Sequence, residues 1–365
     1  SVDREPRGVA GARGILGLVL LAATGMAWFG HPATVLAARA ARENEKAPPP
    51  EGLLVVLNKQ DNSVSFIETR AGRRERDRIR LIRTLPTGES PHEVAIRPDG
   101  REAWVSNAGA NTIGIYDLEK LEQTGLIRHE GFGFPHGSAF TPDGEKFYVA
   151  CTEANAVFVI DASSHTVLTR IPTNQKASHM VAMAPGGGHI YVPNIESRMV
   201  TVISTSQDRV VGEVRVGRGP EGIALTMDGT RLMVANQEDS TMSVIDTAEL
   251  RVIDAYQLGE FPVRVIVTPD GTHAFTADRQ GNTLTVVKLD EKHARVLRRV
   301  PIGKSPGGMA FDGTGRTLFV ALNDEAKVIL FDVKRLKEIR SVRTGKEPDG
   351  IAFVPGWQWK GGLSE

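Results

Sequence analysis

From Leu53 onward, short apolar runs of five or six residues alternate with polar turns, and the runs recur in groups of four. The unit is plainest in GESPHEVAIRPDGREAWVSNAGANTIGIYDL, where a Gly-x-x-Pro turn opens an apolar run, PDG closes it, and two further runs follow. Asp and Gly in such a turn supply the left-handed dihedrals of a tight hairpin, so each unit predicts strands joined by short loops. The residue after the turn proline, or its equivalent, is His92, His136, His179, Glu221, Val263, Gly307 and Asp349, at intervals of 42 to 44 residues. A period near 40–45 residues with four strands per unit is the spacing of a propeller blade. Segments at Leu53–Asn58, Val64–Glu68 and Ile79–Leu85 read as second, third and fourth strands lacking a first, whereas Asp349–Phe353 reads as a first strand lacking the rest. The pattern therefore predicts an all-β, seven-bladed propeller of four-stranded blades, closed by one blade built from both ends of the chain, which leaves no open sheet edge at the seam.

Upstream of the repeat the pattern changes. Arg4, Arg7 and Arg13 precede an apolar run from Ile15 to Trp28, and small residues Ala37, Ala38 and Ala40 follow. That layout reads as a secretory signal over residues 1–40, cleaved after Ala37 or Ala40, with an uncleaved anchor as the alternative. Residues 41–52, which include three consecutive prolines, read as a stiff linker, 53–355 as the propeller and 356–365 as a tail. The expected location is periplasmic or secreted. Composition narrows the partners: 44 Lys and Arg balance 44 Asp and Glu, so no global field favours nucleic acid. The single cysteine, Cys151, rules out an intrachain disulfide. A small-molecule or protein partner and a monomer are expected, with no membrane span after signal cleavage.

The seven post-proline positions lie at one mouth of a propeller's central channel, and they are unevenly furnished. Asp349, His92, His136, His179 and Glu221 fall in five consecutive blades, beside Val263 and Gly307 in the remaining two. Imidazoles projecting from adjacent inner strands converge on the axis, where three of them suit one transition-metal ion, Cu, Fe or Zn. A carboxylate, Glu221 or Asp349, then orients a ligand or acts as a catalytic base. The alternative is that a Pro-His start was copied when blades duplicated and the histidines only cap strand ends. The irregular loop RHEGFGFPHG adds His129, Phe132 and Phe134 as residues that wall a cofactor pocket or plug the mouth. Lys59, Arg198, Arg264 and Arg279 are placed around the same face.

Stretches such as VGRGPEGIALTMDGTRLMVANQEDSTMSVIDTAELRVI resemble the YVTN-type propeller repeat of exported bacterial and archaeal proteins. More distantly, TGESPHEV and FPHGSA resemble the propeller domains of haem-d nitrite reductases, where histidines beginning inner strands line the haem pocket; His92 and His136 match that position. The propeller of nitrous oxide reductase also gathers histidines, but in paired form, which this chain lacks. There is no CxxCH for covalent haem. The resemblance implies fold more strongly than function. Two functions stay open: a propeller that binds a transition metal or metal cofactor through the three-histidine cluster and performs redox or hydrolytic chemistry, with a free ion favoured over haem, or a non-catalytic scaffold that docks a partner on its face. Whether the chain is an enzyme is left open.

Overall fold

The computed structural model describes residues 50–70, 79–290 and 293–358. The signal segment, nearly all of the linker and most of the tail, Trp359 included, lie outside these residues. Seven separate four-stranded antiparallel sheets make the seven blades. The closing blade is shared as the repeat predicts: Pro348–Pro355 pairs with Gly52–Asn58, with Val56 opposite Ile351 and Leu54 opposite Phe353, and Ser63–Thr69 and Ile79–Pro86 complete the sheet.

Burial grades outward along each blade. Second and third strands are buried on both faces, as in Lys146–Cys151 and Ala156–Asp161, so they read as nearly continuous apolar runs. Fourth strands such as Arg209–Arg215 alternate exposed and half-buried residues, because only one face meets a neighbouring blade. Between blades the apolar faces interdigitate. Trp104 packs edge-on against Phe140 at 5.1 Å and beside Phe147 at 4.8 Å, joining the blade that starts at Pro91 to the one that starts at Pro135.

The turn that feeds each inner strand holds the ring in register. The residue before the turn proline, or its equivalent, is left-handed in all seven blades: Ser90, Phe134, Ala177, Gly219, Phe261, Ser305 and Glu347 have φ between +52° and +63°. In four blades the amide of this residue donates to an Asn side chain in the preceding blade, Ser90 to Asn62, Phe134 to Asn111, Ala177 to Asn155 and Ser305 to Asn282, at 2.7–2.8 Å. Only one of the seven is glycine, although a left-handed L-residue costs about 1 kcal/mol. Ser305→Gly should therefore raise stability by about 0.5–1 kcal/mol, read as a higher urea midpoint; a lower midpoint would show that the serine side chain contributes more than its backbone costs. One blade departs from the pattern. Where Ser178 stands in place of proline, its hydroxyl bonds Thr173 and Asn194, and the inner strand shrinks to Ala182–Met183 plus one bridge from Ser178 to Asn194.

Candidate functional site

The inner strands enter the channel mouth through bulges. Register shifts fall between Pro91 and Glu93, Pro135 and Ser138, Pro220 and Ile223, and Pro262 and Arg264. A bulge sets two residues against one on the partner strand, so both residues after the proline reach the mouth region. At the second of these positions adjacent inner strands nearly touch: a Cβ at Gly137 would lie 2.3 Å from Met180 Cα, and one at Gly222 2.6 Å from Arg264 Cα. Glycine satisfies that approach at residues 137, 222, 308 and 350, whereas Glu93, Met180 and Arg264 break the pattern.

The three histidines come together. His92 and His136 have ring centroids 4.8 Å apart, and His136 and His179 are stacked at 3.7 Å with 27° between planes. His92 Nδ1 lies 2.8 Å from the Ser90 carbonyl, a bond that requires the proton on Nδ1 and leaves Nε2 as a free lone pair. His179 Nδ1 meets the Thr152 hydroxyl at 3.1 Å. His136 is 2% exposed, and its Nδ1 has no hydrogen-bond partner. All three are held neutral. Burial, followed by His179 and His92, pushes His136 well below the ordinary imidazole range; burial, followed by Arg264 and His92, brings His179 down to about 3. Burial also lowers His92, against the opposing pull of Asp349. Among the described residues no three His, Cys, Asp or Glu side chains are arranged to hold a metal ion. The stack shows why: His136 and His179 turn ring faces, not lone pairs, toward each other.

The centre of the mouth is occupied by a residue that the one-per-blade ring passes over. Val263 holds the post-proline position, but its neighbour Arg264 reaches across the channel to carboxylates from three other blades. Its Nη1 donates to Glu221 at 2.9 Å, its Nη2 donates to Glu93, and Nη2 stands 3.7 Å from Asp349. Burial raises Glu93 to about 7 despite Arg264, and raises Glu221 likewise. Burial alone would also raise Asp349, but Arg264, Lys59 and Arg279 outweigh it and hold that carboxyl below its usual range. Lys59 spans Glu347 at 2.5 Å and Asp349 at 3.7 Å. The Nε atoms of Arg198 and Arg279 are buried without a partner.

Of the loop residues read as a pocket wall, only Phe134 joins the imidazoles, 5.2 Å from His92 and nearly parallel to His136 at 6.2 Å. Phe132 turns into the core, edge-on to Phe158 at 5.0 Å, and His129 packs on Phe132 and Phe158 while its Nδ1 accepts from the Gly131 amide. Those two contacts separate His129 and Phe132 from the cluster. Cys151 is buried, and burial pushes its thiol up to about 12, which leaves it inert. Glu93 and Arg264 did leave a trace in the sequence: they replace the glycine of the Pro-x-Gly starts at residues 135, 220, 306 and 348.

With this geometry in view, comparison with known proteins is informative. The cytochrome D1 heme domain family matches residues 141–355, more than half of the chain. This chain belongs to that family. A second family, the lactonase 7-bladed β-propeller, matches residues 49–185. No curated protein matches the chain. Among solved structures, the periplasmic gluconolactonase PpgL of Pseudomonas aeruginosa is 18% identical, with a TM-score of 0.70 over 83% of this chain and 99% of its own. Hydrazine synthase of Kuenenia stuttgartiensis is 20% identical, with a TM-score of 0.64 over 73% and 95%. Dihydro-heme d1 dehydrogenase NirN is 16% identical, with a TM-score of 0.60 over 84% and 76%. At these identities the three structures share the propeller fold with this chain. No helix among the described residues is long and apolar enough to cross a membrane.

Proposed function

We propose that this chain is an exported, periplasmic or secreted propeller that binds a haem-type metal cofactor at the channel mouth, against the cluster of His92, His136 and His179. The observation that carries the reading is His136: a buried imidazole whose Nδ1 is unsatisfied, between two further imidazoles held neutral. Buried polar atoms normally find a partner, and a neutral imidazole nitrogen is a metal donor at ordinary pH. Membership of the cytochrome D1 heme domain family supports a haem-type group over a free ion, and so does the stacked pair, which offers single donors instead of a three-point chelate. The residues present fit such a group. His92 has Nε2 free because Nδ1–H is committed to Ser90, and Phe134 provides an apolar face beside it. Arg279 and Lys59 add positive charge at this mouth, where both act on Asp349.

When bound, the group would supply a metal centre for redox chemistry or for holding a small molecule. The protein's own part is to keep three imidazoles unprotonated, to exclude water from His136, and to keep a carboxyl of intermediate acidity, Glu93, on Arg264 Nη2. Purified full-length protein should bind iron protoporphyrin with a saturable shift of its visible absorption. His92→Ala and His136→Ala should each weaken binding at least tenfold, the loss expected for one good contact of about 1.4 kcal/mol. Undiminished binding in a variant with all three histidines replaced would leave the scaffold reading in its place.

A further inference from the structure

Where the second residue after the turn proline is glycine, the inner strand lies directly on the next one. Gly137 does this beside the imidazoles: a Cβ there would stand 2.8 Å from the His179 carbonyl oxygen, and its amide donates to that oxygen at 2.8 Å. His136, one residue earlier, is thereby tied to the neighbouring blade. Glu93 denies His92 that anchor, because a side chain does not fit between two inner strands in such contact. The ladder does not hold His92 either. Pro91 faces Asn107 and Glu93 faces Ser106, so His92 is the bulged residue and has no partner on the second strand. Its ring is bonded to Ser90 in the same turn, and so moves with the bulge. One side of the bulge rests on Gly350, where a Cβ would stand 2.9 Å from Glu93 Cα.

The remaining hold comes from across the channel, and it is built as a rigid arm. Gly222 packs on the base of Arg264, where a Cβ would stand 2.6 Å from Arg264 Cα. Nη1 is fixed by two acceptors at that same side of the mouth, the Val263 carbonyl at 3.0 Å and Glu221 at 2.9 Å. A guanidinium is planar, so committing Nη1 twice also sets the direction of Nη2. Nη2 donates to Glu93, 171 residues away in sequence and next to His92. The arm is buried along its length, which leaves it no room to swing. A charge-assisted bond from so constrained a donor fixes the acceptor's position as well as adding energy.

We infer that Arg264 is a positioning residue for His92: through Glu93 it holds the bulge of the opposite inner strand, and so keeps the His92 ring 4.8 Å from His136 and 5.2 Å from Phe134. The use of that imidazole as a metal donor rests on the haem-type reading, in which a donor must be held to within about 0.5 Å; its position does not. Glu93 is the residue to vary, since Arg264 also serves two other carboxylates. Nuclear Overhauser spectra of the full chain, deuterated except at histidine and phenylalanine rings, read the position without any cofactor. The wild type should show cross-peaks from His92 to Phe134 and His136, and from His136 to His179. In Glu93→Ala the two His92 cross-peaks should be lost while His136 to His179 persists. Glu93→Gln should restore them, because its side-chain carbonyl still accepts from Nη2. Undiminished His92 cross-peaks in Glu93→Ala, equal loss in both variants, or loss of all three cross-peaks together would overturn the inference. Iron protoporphyrin supplies the second measurement: Glu93→Ala should bind it about tenfold more weakly than the wild type, and Glu93→Gln as the wild type does. A wild-type chain that shows the cross-peaks, with the expected variant pattern, but takes up no porphyrin would remove the haem-type reading and leave the positioning role standing.

Discussion

Arg264→Met should lower the unfolding free energy at pH 7 by about 3–5 kcal/mol, the largest single effect expected in this molecule. The guanidinium is 7% exposed and is the charge that three buried carboxylates share: Glu221 at 2.9 Å, Glu93, and Asp349 at 3.7 Å. Methionine keeps the length and apolar packing, so what is lost is the charge. Burial already holds Glu93 at about 7 with Arg264 in place; without it Glu93 and Glu221 rise further above their unfolded values, and Asp349 loses the strongest of the cations that hold its carboxyl down. A raised carboxyl binds its proton more tightly in the folded state, so the defect is smallest in acid and grows as pH rises through the raised value. Urea denaturation at pH 5 and pH 7 should show the variant's deficit widening with pH. Adding Glu93→Gln should recover part of it, a coupling that a double-mutant cycle measures. A deficit below about 1 kcal/mol at both pH values would mean that the carboxylates find solvent or other partners in the channel.

The same arginine marks the limit of what the sequence makes legible. Repeat spacing and the complementary leftovers at Leu53 and Asp349–Phe353 are enough to derive the closed seven-bladed ring, because blade count and strand order depend on periodicity alone. One residue per blade is also enough to bring His92, His136 and His179 together. Arg264 is placed only around the same face and not across the channel, and Glu93 is passed over, since a bulge after the proline sends a second residue into the channel, and a bulge has no period. The sequence also misplaces His129 and Phe132. A glycine-rich loop fixes no direction for its side chains, and the apolar face of Phe158 draws both rings into the space between blades. The stacking of His136 on His179 is equally hidden, because repeat spacing fixes which strand carries each ring but not the side-chain dihedrals that turn one ring onto the next.

His179→Gln should flatten the acid limb of the stability curve. Burial, Arg264 and His92 hold the folded imidazole at about 3, against about 6.5 in the unfolded chain. Between those values the unfolded state takes up a proton that the folded state refuses, so stability falls as pH drops below 6.5. From pH 7 to pH 5 this residue alone accounts for about 2 kcal/mol of that fall. Glu93 works in the opposite sense over the same range: its carboxyl, raised to about 7, favours the folded state below pH 4.5 and ceases to as pH rises through 7. The wild-type curve is therefore a partial cancellation, and the informative quantity is the difference between wild type and His179→Gln at each pH. That difference should widen steadily from pH 7 to pH 5, with the two proteins alike at pH 7 because glutamine can still meet the Thr152 hydroxyl. Parallel curves would mean that the imidazole is solvated and titrates normally. Such an imidazole would lose its metal-donor form in mild acid, whereas one held at about 3 keeps its lone pair available through mild acid.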